Sequence, residues 1–442
     1  MKNLASNKTR DCMLPRLAAN TSMHCMQFYL DQTYFNRFPN FLAFLLWIVF
    51  LFSPATIKAE NDNQLLTGTI NLSHSSAYAS HDDFGYENED QRIPSQSLQS
   101  LRLIAEGVYK NHIEYDVQFL SVNSHSNRTL SAANTANIYR IKSLREYTIN
   151  ETSDNETSLW YQELDRASIK VEYENYRFSA GRQPISWGTG RFWQPLDVFG
   201  AFNATELDRD YKPGIDLLTV DYFLNDFSSL SLVYVFSPWN TNEVYDSQAM
   251  FYQRQFGLSS NFSFLLGNIQ DNKTIGTAVE TDWHGAGLRF EASVFETPEF
   301  DSLKTFWITG LDYQFSNDIF FSLEYYYHSA GTNDSENVEA VMDRKLYLSG
   351  LQKHISRHLL GLTLQKNVTP LLNMNYFLLA ANMDNKISML HQITGILSVS
   401  NESDLWLTLL LGTGEGINDQ DAMQSEFGHI PVGASIKFRM YF

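Results

Sequence analysis

The chain has 442 residues with 32 basic and 50 acidic side chains, a formal net charge of -18 and only two cysteines, Cys12 and Cys25. That balance excludes a basic nucleic-acid surface. Both thiols lie near the amino end, so the rest of the chain has no disulfide framework, cysteine metal site or lipid-anchoring cysteine.

The one long apolar run, Phe41 to Phe52, is too short to cross a bilayer and has the form of a secretory h-region. Ser53, Pro54 and Ala55 break it, and Ala59 supplies a small residue for cleavage, with the Ala55 region as second choice. The segment ahead of the run is long for an n-region, so Met23 and Met26 stand as alternative starts. The expectation is a leader over 1–59 and a single exported domain over 60–442, more acidic than the whole because the leader is net basic.

Beyond the leader, segment after segment alternates apolar with polar residues, the period of a half-buried strand. Leu66, Gly68, Ile70 and Leu72 make the first; the acidic stretch HDDFGYENED follows as a solvated loop. Leu101 to Tyr109 and Ile113 to Phe119 form a hairpin with one apolar face, while Arg102, Glu106, Glu114 and Asp116 occupy the other. The stretch IYRIKSLREY reads as a strand extension or loop. Ala167 to Tyr173 and Tyr176 to Ala180 form the next hairpin, with Lys170, Glu172 and Arg177 on the polar face. Further alternating pairs run on to the carboxyl end. Arg289, Glu291, Asp312 and Glu324 lie on the polar faces, and the segment ENVEAVMDRKLYL has the pattern of one short amphipathic helix.

A chain of such pairs without a domain break predicts an all-β fold, a transmembrane antiparallel barrel of about 18 strands with 16 as the nearest alternative. Apolar faces meet lipid and polar faces line water. A TonB-type transporter is disfavoured, because about 22 strands and a plug would not fit this length.

Between the strands ending at Gly181-Arg182-Gln183 and resuming near Gly214-Ile215 lies a connection of about thirty residues, far longer than usual and rich in Gly, Pro and Trp. It is expected to fold into the barrel and shape a pore. Arg182, Arg191, Arg209 and Lys212 would face Asp197, Glu206, Asp208 and Asp210 across a constriction, with Trp187, Phe192 and Trp193 as a stacking surface. The competing reading pairs these charges with each other and packs the aromatics on the wall. For Arg182 and Asp197, and for the aromatics, that structural reading is the favoured one.

The terminal strand ASIKFRMYF alternates to a final aromatic pair, Tyr441 and Phe442, and resembles the assembly signal of Gram-negative outer-membrane barrels. The loop with its Gly-Arg-Gln, Trp-Gly and aromatic-Pro-Asp elements, carried here by Gly181 to Gln183, Trp187-Gly188, Trp193, Pro195 and Asp197, resembles a poorly characterised porin-like outer-membrane family. The resemblance implies a channel for diffusion or export of small hydrophilic solutes or saccharides, in contact with outer-membrane lipid, lipopolysaccharide and the barrel-assembly machinery. It leaves monomer and homotrimer open.

The net acidic strand interior predicts a cation-leaning pore. The alternative is a surface-exposed barrel with a closed lumen, acting as an enzyme or adhesion protein. His284, His354 and His358 sit in no motif that fixes a nucleophile and base, and neither a cofactor nor a metal site is expected.

Overall fold

The computed structural model describes residues 64–78, 95–109, 112–127, 138–142, 144–151, 157–202, 204, 209–238, 244–418 and 422–442. The leader, the whole acidic stretch 81–90, Glu206 and Asp208 lie outside them. One 19-stranded sheet is formed. Its strands are β1 (Gln64–Tyr78), β2 (Ser95–Tyr109), β3 (Ile113–Ser126), β4 (Arg145–Glu151), β5 (Thr157–Tyr173), β6 (Tyr176–Gln183) and β7 (Ile215–Asn225). Then come β8 (Ser228–Val235), β9 (Ser247–Phe256), β10 (Ser260–Ile269), β11 (Asn272–Trp283), β12 (Ala286–Glu296) and β13 (Lys304–Gln314). The last are β14 (Ile319–His328), β15 (His358–Thr369), β16 (Leu372–Met383), β17 (Lys386–Ser400), β18 (Ser403–Thr413) and β19 (Val432–Tyr441).

Each wall strand pairs antiparallel with its neighbour, and β19 pairs back onto β1 from Thr69↔Tyr441 to Tyr78↔Val432. The result is a closed 18-strand barrel, because β4 is an accessory strand and β3 pairs directly with β5. Closure pairs the 18 wall strands all the way round, the condition for a sheet to stand in hydrocarbon. Phe442 completes it, since its N–H and C=O both bond to Gly68. The period of 2 sorts the side chains as expected. On β13, Thr309, Leu311 and Tyr313 face outward and Phe306, Ile308 and Asp312 inward.

Short turns link β2–β3, β5–β6, β7–β8 and the later pairs at the end where β1 begins and β19 finishes, here called the turn end. Several adopt positive φ, as at Glu174 (51°) and His284 (53°), the backbone of a two-residue hairpin. The long connections gather at the opposite, loop end, where two tight turns also occur at Gln270-Asp271 and Asp384-Asn385. The connection 329–357 carries two short helices, Val338–Met342 and Lys345–Leu348, in place of the single helix expected.

The wall is built differently at one place. β6 pairs with β5 from Tyr173↔Tyr176 to Ala167↔Arg182 and then leaves the sheet. Along the same edge of β5, β4 pairs from Arg145↔Glu163 to Glu151↔Thr157. The end of the stretch IYRIKSLREY therefore opens a partial strand of 7 residues, Arg145–Glu151, that fills the wall where β6 has turned inward, while Ile138 to Lys142 is irregular. Between the two ladders, residues 164–166 of β5 have no strand partner on this edge and are displaced by a bulge against Gln118 and Phe119.

Arg182 closes the gap. It donates to the carbonyls of Leu164 at 2.9 Å and Lys142 at 2.8 Å and is held by Asp216 at 2.7 Å. Asp216 also receives the Ile141 N–H at 2.9 Å. Only glycine fits at 214, where a Cβ would stand 2.4 Å from the Asp165 carbonyl oxygen.

Candidate functional site

The connection 184–214 crosses the interior and packs on the far wall. Trp187 stacks on Phe251 of β9 (centroids 4.6 Å apart), Trp193 on Tyr326 of β14 (5.2 Å), and Phe192 lies 5.3 Å from Phe377 of β16. With Leu196 and Phe199 these rings form the centre of the main apolar core. The two buried rings, Phe192 and Trp193, contribute about 1.5–3 kcal/mol each to the inward fold, and the half-buried Trp187 adds less. Phe192 and Trp193 thus pack the loop to the wall, and Trp187 stays half-exposed beside them.

Two wall carboxylates bind the loop's backbone. Glu291 on β12 accepts the N–H of Thr189 at 2.7 Å and of Leu196 at 2.5 Å. Glu324 on β14 accepts those of Arg191 (2.9 Å), Phe192 (3.0 Å) and Trp193 (2.9 Å). Both are fully buried. Arg289 bonds Asp312 and reaches Glu324 at 3.3 Å, and Arg191 reaches Asp312 at 3.1 Å. These four strand and loop charges, Arg191, Arg289, Asp312 and Glu324, form one network that, with Glu291 beside it, ties the loop to β12, β13 and β14. A buried carboxylate is tolerated because it accepts several donors at once.

Burial removes Arg182, Asp197 and Lys212 from a candidate pore lining. Arg182 belongs to the wall seam. Lys212 donates to Asp197 at 2.5 Å and to the Ile185 carbonyl, joining the two ends of the loop. Burial pushes the Asp197 pKa up and the Lys212 pKa down, and the attraction between the two opposes both shifts. Arg182 is paired with Asp216, and Asp197 with Lys212.

The loop charges that reach solvent are different ones. Arg191 is 56% exposed at its side chain and lies over Phe320; Asp210 is 49% exposed and pairs with the buried Arg439. Arg209 donates to the Arg191 carbonyl at 2.5 Å and lies over Phe202. Arg191, Arg209 and Asp210 thus form the wet rim of the loop.

Of the strand charges, Arg102 is buried and bonds Asp165 at 2.7 Å, with Arg140 bridging Asp165 and Glu163 behind it. Asp116 lies 3.7 Å from Arg166, and Glu172 pairs with the adjacent Arg177. Glu106 is exposed and Glu114 half-buried, the latter in register with Lys170.

Sequence reasoning missed a buried contact between two loop-end connections. Glu426 accepts His354 Nδ1 at 2.9 Å and the N–H of Ser356 at 2.7 Å. His354 lies edge-on to Trp193, so three connections meet there. His358 bonds Tyr325 at 2.6 Å. Neither histidine is in contact with a serine hydroxyl in a nucleophile-base arrangement.

No protein-family model matches the sequence, and no curated protein matches it. Solved structures do. Acinetobacter baumannii OccAB3 aligns with a TM-score of 0.54 at 9% identity, over 86% of this chain and 99% of that one. Acinetobacter baumannii OccAB4 gives 0.53 at 11%, over 86% and 98%. Pseudomonas aeruginosa OccK11 (OpdR) gives 0.51 at 8%, over 86% and 96%. These neighbours are outer-membrane porins. The chain is a porin-like 18-strand β-barrel. At such identities the likeness is one of fold. The porin-like barrel spans nearly the full length of these neighbours, with its own network of charges holding the loop.

Proposed function

We propose that this barrel is an outer-membrane channel for small hydrophilic solutes, exported with a leader over 1–59 and narrowed by the connection 184–214. The supporting observation is that this connection departs at mid-height and is bonded across the interior to Glu291 and Glu324. Solutes pass the rim of Arg191, Arg209 and Asp210. Outer-membrane lipid and small solutes are its partners.

Ion preference follows from which charges remain available. Glu291 and Glu324 are consumed by backbone amides, and Asp116, Glu172 and Asp312 are ion-paired. Glu106 and Glu114 set against Lys170 leave a mild acidic excess in the turn-end vestibule, so the channel is weakly cation-preferring, and less so as salt screens it. Reversal potentials at low salt test this. Anion preference would mean that Arg191 and Arg209 dominate at the narrowest point.

The decisive experiment is planar-bilayer recording of the purified barrel and of a variant in which Thr189 to Asp210 is replaced by a short Gly/Ser bridge. The variant should remain a heat-resistant barrel with larger unit conductance and looser solute discrimination. Equal conductance would remove the loop from the pathway, and a wild type without resolvable steps would favour the closed-lumen reading.

A further inference from the structure

A group of cations stands at the loop end, where the β12–β13 connection meets the connection 329–357. Phe300 is its floor. Lys304 Nζ lies 4.0 Å from the centre of that ring and the Arg344 guanidinium 5.2 Å from it. Arg344 donates to the carbonyl of Ala330, Arg357 to that of Gly331 at 2.8 Å, and Lys304 reaches Ser302 Oγ at 3.3 Å. These acceptors are neutral, so they aim the cations without cancelling them.

Each of the three is close enough to feel another. The charges of Arg344 and Arg357 both act on Lys304, and that of Arg357 acts on Arg344. Among the described residues none of the three forms an ion pair. Glu299 is the one carboxylate that acts on both Lys304 and Arg344, and it accepts the Lys345 N–H at 3.0 Å. The exposed Asp301 and Asp343 nearby in the chain form no ion pair with the group. Burial first, and the Arg357 charge with it, hold the Arg344 pKa below its ordinary value against the pull of Glu299. A chain with a net charge of -18 has no general tendency to gather cations in one place. Like charges held together disfavour each other unless an anion joins them.

We propose that Lys304, Arg344 and Arg357 form a phosphate-binding site at the mouth of the barrel, on the Phe300 ring. Two guanidinium forks and one ammonium suit a group with three acceptor oxygens and a charge near -2, where a carboxylate offers two oxygens and one charge. Phosphate at this position has two sources: the head group of an outer-leaflet lipid, or a phosphorylated solute approaching the opening. The lipid source rests on the outer-membrane reading above.

The test uses the full-length barrel in two arms. In detergent it is titrated with inorganic pyrophosphate. In phosphatidylcholine vesicles it is offered diphosphorylated lipid A or the same lipid without its phosphates. Saturable binding is expected in at least one arm, weakened about tenfold or more in Lys304→Gln/Arg357→Gln. Lys304→Arg, which keeps the charge, should retain it.

A preference for phosphorylated lipid over pyrophosphate assigns the lipid source, and the reverse assigns a solute. No saturable binding in either arm, or equal binding by the double variant, overturns the proposal. Bilayer conductance measured on the same preparations confirms that the double variant has folded. Its absence in the wild type would sink the channel reading while leaving the phosphate result to stand.

Discussion

Replacing Glu324 by alanine should release the loop from the wall while leaving the wall intact. The carboxylate receives three backbone N–H groups, from Arg191, Phe192 and Trp193, at 2.9–3.0 Å, and it is fully buried. A hydrogen bond to a charged group is worth about 1.5–3 kcal/mol net, and a donor left buried without a partner costs about 1–3 kcal/mol. Water entering the vacated space recovers part of this, so a local loss of about 3–6 kcal/mol is the working figure. At about 1.4 kcal/mol per decade, the amides of 191–193 should exchange with deuterium about two to four orders of magnitude faster.

Arg289 keeps Asp312 as a partner in the variant, which limits the damage to the loop. Hydrogen exchange followed by mass spectrometry on the detergent-folded barrel reads the effect peptide by peptide, and heat-resistant electrophoretic mobility reports the wall. Unchanged protection over 191–193 in an intact barrel would refute the claim that this carboxylate anchors the loop.

At Gly361 a Cβ would stand 2.7 Å from the Phe192 ring, so Gly361→Ala should displace that ring at a cost of about 1–3 kcal/mol and make the unit conductance noisier. Acid should loosen the 414–431 connection. Burial holds the His429 pKa below its ordinary value, so the opened form takes up protons that the closed form refuses, and stability falls as pH drops below about 6.5. Burial pushes Glu426 up, but its bonds to His354 and Ser356 outweigh this and leave its pKa lowered, adding a loss below about 4.5. Limited proteolysis of that segment should therefore be faster near about pH 5 than at neutrality, and less pH-dependent in His429→Gln. Deleting Phe442 removes two backbone bonds to Gly68 and the terminal aromatic, and should lower membrane levels far more than the conductance of barrels that do assemble. Amino-terminal sequencing of the exported protein should begin near Glu60; an intact leader would contradict this.

The wall was legible because a half-buried strand has a fixed period, and β13 and β14 repeat it without interruption. Period gives the face of a side chain but not its height or its cover. Alternation sets Glu291 and Glu324 on the polar face of their strands, yet nothing in their own segments announces that loop amides from 95 to 133 positions away will reach them. Arg182 was visible in the loop motif, and Asp216 follows where the strand resumes at Gly214-Ile215. That they oppose each other in register across β6 and β7 depends on where the ladder stops, which composition does not encode. β4 was ambiguous because a 7-residue strand that pairs along one edge only carries too little alternation to separate it from a loop. The His354–Glu426 contact joins two irregular segments, where no periodic signal exists to be read.

The patched wall has a consequence for how depth is set inside the barrel. A loop that starts at a rim must spend residues descending before it can narrow anything. Here β6 stops after 8 residues and the chain steps inward directly, while β4, drawn from the preceding connection, keeps lipid out above it. Tether length and constriction depth are thereby uncoupled. The level at which the chain enters the lumen is set by the register at which Gln183 hands over to Ile215, and not by the number of residues in the loop.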